Sequence, residues 1–121
     1  MSTGEFQRIK ANMVGDVAVV EVLPGELRFP PQASELGAEL SLVAGQDWAR
    51  HLVVNLKHTK YLSSTGFAIL FKVVKEAQER GSVVRFCQLD PEVRLGAEII
   101  SLDKLATIFE TEEEAIRSFA P

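Results

Sequence analysis

Near the middle of the chain, His51-Leu52-Val53-Val54-Asn55-Leu56 sets apolar residues side by side instead of alternating them with polar ones. A short run of this kind, rich in β-branched residues, reads as a strand buried on both faces. Upstream, Leu36, Leu40 and Val43 lie three or four apart between Ala33 and about Ala44. That is the stripe of an amphipathic helix, with room to extend to Trp48. Downstream, Gly66 to Arg80 places Phe67, Leu70, Phe71 and Val74 on one helical face, and Gly81 is a stop signal. Ser82 to Leu89 is a further apolar strand, closed by Asp90-Pro91. Asp90 caps and Pro91 opens a helix expected to run to about Ile100.

The ends of the chain complete the pattern. Residues 6–12 alternate in part, Val14-Gly15-Asp16 is turn-like, and Val17 to Leu23 is β-branched up to Pro24-Gly25, so a hairpin opens the fold. Pro30-Pro31 forbids immediate continuation of a sheet. A short strand over Ala106 to Phe109 precedes a last helix, where Thr111 with Glu112, Glu113 and Glu114 resembles a capping box. Strand and helix alternate after a starting hairpin, which points to an α/β sandwich with a mixed sheet. The 121 residues show no repeat and no linker, so one domain is expected over 1–121.

Composition narrows the chemistry. Thirteen Lys and Arg against 17 Asp and Glu give a net charge of −4, which argues against nucleic acid as a partner. Cys87 is the only cysteine and lies in an apolar strand, so it reads as a small core residue. His51 and His58 lack helical i, i+4 pairing and a cysteine companion, so no metal site is expected. No Gly-x-Ser-x-Gly surrounds Ser64, and there is no P-loop or dinucleotide fingerprint. The expectation is therefore a protein that is not an enzyme and needs no cofactor. The first residues lack the apolar stretch of a signal peptide, and no uncharged run approaches the roughly 20 residues that span a bilayer. A reducing cytoplasm without membrane insertion is the expected setting.

The informative stretch is Leu62-Ser63-Ser64-Thr65-Gly66. Three hydroxyls end a polar loop where a buried strand hands over to a helix. Free N–H groups and the positive end of the helix dipole favour an anion there. A phosphate on Ser64 would add about −1.5 to −2 charge at pH 7. The plainer reading is that Ser63 or Ser64 is simply the N-cap. Lys57, His58 and Lys60 precede Ser64 and make the loop locally basic, suited to a phosphate or to an acidic partner surface. Trp48 and Tyr61 fall at element ends, as core or interface residues.

Val53-Val54-Asn55-Leu56, six intervening residues and Ser63-Ser64-Thr65-Gly66 opening an apolar helix resemble the bacterial anti-sigma factor antagonists, which are STAS-domain proteins. Their signature is an apolar strand, a short loop and Asp-Ser-Ser/Thr-Gly at a helix start. Val22-Leu23-Pro24-Gly25-Glu26-Leu27 is similar to the family's Gly-Glu-Leu element. The resemblance implies a STAS-like sandwich with about five strands in a mixed sheet. It also implies a partner switch: binding to an anti-sigma factor with serine-kinase activity, control by phosphorylation of Ser64, and a phosphatase as a further partner. The implied partner-binding face comprises Ser63, Ser64, Thr65, Gly66, Phe67, Gly25, Glu26, Arg28 and Lys60, with Phe67 or Ile69 as apolar anchor and the other in the core. Two positions depart from the pattern, because Ser63 replaces the motif aspartate and Arg28 replaces the aspartate that commonly follows Gly-Glu-Leu. The alternative implied by the same resemblance is a phosphorylation-independent STAS subunit or scaffold of a lipid- or anion-transport complex.

Overall fold

The computed structural model describes residues 6–28 and 30–120. Strands β1 (Ile9–Val14) and β2 (Val17–Val22) form the expected antiparallel hairpin, with Val14 opposite Val17. Gly15 has φ +62 at the first of two turn residues, where a tight hairpin favours glycine. Helix α1 (Pro30–Ala44) follows, and then a single 3-10 turn at Asp47–Ala49 leads into β4 (His51–Asn55). The helix starts three residues before the expected Ala33, because a proline in the first turn has no N–H to leave unpaired. It stops at Ala44 and does not reach Trp48, which lies in the 3-10 turn.

Helix α2 (Ser64–Glu79) joins β4 to β6 (Val83–Cys87). Gly81, at φ +82, terminates it as expected. Helix α3 (Pro91–Ile99) starts with the Asp90 side chain accepting from Glu92 N–H, and a short α4 (Leu102–Leu105) not expected from sequence leads to β7 (Ile108–Phe109). Helix α5 (Glu112–Arg117) carries the full capping box between Thr111 and Glu114. Strand β6 ends sooner than the expected Leu89, since Gln88 takes φ +56 and turns the backbone out of the sheet.

The five-stranded sheet has the order β1-β2-β4-β6-β7, antiparallel in the hairpin and parallel elsewhere. Side chains alternate between its faces. Ala18, Val20, Leu52, Val54 and Phe86 point into the main core with Leu36, Leu40 and Leu70 of α1 and α2. Val17, Val19, Val53 and Cys87 point the other way, into a smaller cluster closed by Ala115 of α5. Strand β4 is thus covered on both sides, as its unbroken apolar run requires. Each fully buried leucine contributes about 1.5–3 kcal/mol of transfer free energy. Among the described residues, no helix is long and apolar enough to cross a membrane.

Candidate functional site

Two elements too short to show in the sequence assemble the site. Strand β3 (Glu26–Leu27) pairs in parallel with β5 (Tyr61–Leu62), placing Glu26 beside Tyr61 and Leu27 beside Leu62. The carbonyl of Gly25 accepts from Lys60 N–H at 2.7 Å, and that of Leu27 accepts from Ser63 N–H at 3.0 Å. Thr59, fully buried, donates its hydroxyl to the Pro24 carbonyl at 2.8 Å. The Gly-Glu-Leu and Ser-Ser-Thr-Gly segments, 36 residues apart between Leu27 and Ser63, are therefore one structural unit. The ribbon stops after two pairs, and the chain turns from it directly into α2.

Of the three hydroxyls, the structure gives each a separate position. Ser63 is the N-cap, extended at φ −72 and ψ 168, with its oxygen accepting from Gly66 N–H at 3.2 Å. Ser64 is the first residue of α2 and is exposed, as is Thr65. Among the described residues, the Ser64 hydroxyl makes no hydrogen bond within the fold, which leaves it free for a reagent or a partner. Gly66 is buried, and a Cβ there would come within 2.8 Å of Leu62 Cδ2. Glycine lets the start of α2 lie flat against the β3–β5 ribbon.

Electrostatics around the site differ from the expected basic loop. Lys57 Nζ and His58 Nε2 both turn to Glu21 Oε1, at 3.6 and 3.0 Å. The hydrogen bond from His58 is the largest cause holding the Glu21 carboxyl below its usual value, with Lys57 and Lys10 acting the same way against partial burial. Lys60 reaches Asp90, the α3 cap, at 3.7 Å. Lys57, His58 and Lys60 each already face a carboxylate from a distant element. Arg28 forms a forked pair with Glu26 and lies 4.2 Å over the Tyr61 ring. Those bonds lower the Glu26 carboxyl and raise the Arg28 guanidinium. The residue standing in the aspartate position thus braces the outside of the ribbon.

Ser64 also forms part of the wall of an apolar groove of about 570 Å³ between α2 and α3, with Phe67, Ala68 and Phe71 on one side and Gly96, Ile99 and Ile100 on the other. Phe67 and Ile69 are both half-buried and packed on the core, so neither is wholly surface. Phe67 faces α3, where a Cβ on Gly96 would meet its ring at 2.6 Å, while Ile69 faces α1 at Gly37. Of the two, Phe67 is the one that lines the groove beside Ser64. Sequence reasoning missed the α3 wall. Its signal was present, because Leu95 and Ile99 fall opposite Val93 and Ala97 on the helix, and Ile99 is 74% exposed.

A family model described as the STAS domain matches residues 8–115. Among solved structures, an anti-sigma factor antagonist from Mycobacterium paratuberculosis superposes with a TM-score of 0.81 at 22% identity, over 93% of this chain and 93% of that one. The Bacillus cell fate determinant SpoIIAA in its phosphorylated form gives 0.69 at 21% identity, over 91% of this chain and 97% of that one. The murine anion transporter Slc26a9 gives 0.72 at 12% identity, over 88% of this chain but 18% of the transporter. At these identities the structures establish a shared fold, and the family model covers most of the sequence. The chain belongs to the STAS domain family.

Proposed function

We propose that this STAS domain is an anti-sigma factor antagonist-like regulator that binds an anti-sigma factor with serine-kinase activity, and that phosphorylation of Ser64 releases it. The observation that carries this reading is the position of Ser64: exposed, first in α2, unbonded within the described fold and set in the wall of an apolar groove. The contact face comprises Gly25, Glu26 and Arg28 on the β3 side, Lys60, and the run from Ser63 through Thr65 and Gly66 to Phe67. A phosphate there is tolerated by the isolated protein, because the helix N-terminus favours negative charge. In a complex the same group would have to be desolvated against an apolar wall, which costs binding free energy. Moving a complex from 99% bound to 99% free takes about 5.5 kcal/mol of differential affinity. One buried phosphate and the loss of several good contacts are of that order. A phosphatase would reset the switch.

The test is incubation of the protein with ATP and the kinase-type anti-sigma factors encoded in the same genome, followed by mapping of the modified residue by mass spectrometry. Modification at Ser64 and loss of the complex are expected. Modification elsewhere, or none with any of these kinases, overturns the switch.

A second reading, a phosphorylation-independent scaffold in a lipid- or anion-transport assembly, draws on Ser63 and Arg28. Both departures from the family motif are used structurally, one as helix cap and the other as brace. It is favoured if Ser64→Asp binds the partner as tightly as the wild type.

A further inference from the structure

The groove beside Ser64 continues toward the start of both helices that build it. A second hollow of about 260 Å³ shares Leu62, Phe67, Gly96 and Ile99 with it and extends the trough to Lys60 and Glu92. Helices α2 and α3 run along it side by side in the same direction. Lys60, just ahead of α2, reaches Asp90 at the start of α3, and Gln78, near the end of α2, donates to the Leu105 carbonyl beyond α3. From Ser64 to Phe71 the trough extends about 10 Å at the helical rise. The small Ala68 and Gly96 leave room within it. On its α3 lip stands a ridge of Leu95 and Ile99, one turn apart and 59% and 74% exposed. A contiguous apolar recess and ridge, open to solvent, mark an interaction surface.

Two features of this face say which partner fits it. Ridge and recess lie next to each other, so two copies related by a two-fold axis across the trough can each lay Leu95 and Ile99 into the other's recess, as packed helices do. The ridge, about 6 Å long at the helical rise, is shorter than the recess that receives it. The unmatched charges also have opposite signs at opposite ends. Glu92 is exposed at the starting end of the trough, and Lys75, one turn beyond Phe71, is exposed at the far end. Among the described residues neither has an ion-pair partner, whereas Lys60 is matched by Asp90 and Arg94 by Glu98. Lys72 lies on the other flank of α2, toward α1. An antiparallel two-fold pairing sets Glu92 of each copy against Lys75 of the other, so the complementary pair occurs twice in one interface.

We propose that this face is a self-association surface, on which a second copy of this chain packs antiparallel, ridge into trough, with Glu92 facing Lys75. The pairing covers Ser64 in both copies and does not depend on its phosphorylation.

Sedimentation velocity of the full chain from about 1 μM to about 1 mM covers the affinities of weak association. A monomer–dimer equilibrium is expected within that range. Ile99→Asp, at a side chain exposed enough to leave the fold intact, should weaken dimerisation about tenfold or more. Leu42→Asp, at an exposed leucine of α1 away from the trough, should leave it unchanged. Lys75→Glu and Glu92→Lys should each weaken it about fivefold, and the two together should restore wild-type association. A chain that stays monomeric throughout leaves the trough to a different protein and overturns the proposal. So does a dimer indifferent to Ile99→Asp, one that Leu42→Asp weakens as much, or a double variant no tighter than the single ones.

Discussion

Gly66 lies against Leu62 so closely that any side chain at position 66 must displace it: a Cβ there would approach Leu62 Cδ2 to 2.8 Å. Leu62 is buried, pairs with Leu27 and forms one end of the groove beside Ser64. Gly66→Ala is expected to be close to neutral in stability, since a helix-propensity gain of up to about 1 kcal/mol offsets the shift of a flexible leucine end. Gly66→Val adds bulk that the site cannot absorb and should cost about 1–3 kcal/mol. Urea midpoints of the two variants check the contrast, and a valine as benign as the alanine refutes the close-packing account.

Ser63 and Ser64 should separate folding from binding. Ser63→Ala removes the oxygen that caps Gly66 N–H and should cost about 1 kcal/mol, or roughly 3–5 °C in Tm for a domain of this size. Ser63→Asp keeps a capping oxygen and should hold stability near wild type. Ser64→Asp places a negative charge in a first turn that has no acidic residue, and should raise stability by about 0.3–1 kcal/mol. Under the proposed switch the same substitution weakens partner binding. Calorimetric melting and titration of the four proteins measure the two effects independently.

Acid should loosen the loop that leads to the site. Glu21 receives His58 and Lys57, and its carboxyl titrates below the ordinary value of 4.5. A group depressed in the folded state stabilises the fold above its unfolded value and loses that contribution as protons add through the folded value. The loss therefore falls at pH 4.5 and lower. For partners this exposed the contribution is about 0.5–1 kcal/mol. The difference in unfolding free energy between wild type and Glu21→Gln, measured at pH 6 and pH 3, should shrink toward the acid end. A constant difference would show that the pairing contributes nothing.

Phe67 and Gly96 should be energetically coupled. Alanine at 96 places a methyl within 2.6 Å of the Phe67 ring, so Gly96→Ala should destabilise the wild type. In a Phe67→Leu background the ring is gone and only the helix-propensity gain remains. A double-mutant cycle is expected to return a coupling of about 0.5–3 kcal/mol, whereas additivity would mean that the two helices do not meet through these residues.

The elements legible in the sequence are those whose signals are local. The hairpin shows in Val14-Gly15-Asp16, the α5 cap in Thr111 and Glu114, and the α3 start in Asp90-Pro91. The five-stranded α/β architecture follows from their order. Strands β3 and β5 were not legible, because two residues give no periodicity and their partners lie far apart in the chain. The pairing of the Lys57-His58-Lys60 run was hidden for a related reason: Glu21 and Asp90 come from other elements, and only the fold brings them near. Pro30-Pro31 was ambiguous in kind, since the dipeptide that ends a strand also begins a helix.

The β3–β5 ribbon is held by amides and carbonyls, atoms that every residue there carries whatever its side chain. Identity at positions such as 28 and 63 can therefore change, with the loss of a brace or a cap, without breaking the backbone pairing on which those positions are displayed. An arginine or a serine in place of an aspartate re-letters the face but leaves its address intact. Under the proposed reading, substitutions on this face alter what it offers a partner, while the backbone architecture that presents it stays put.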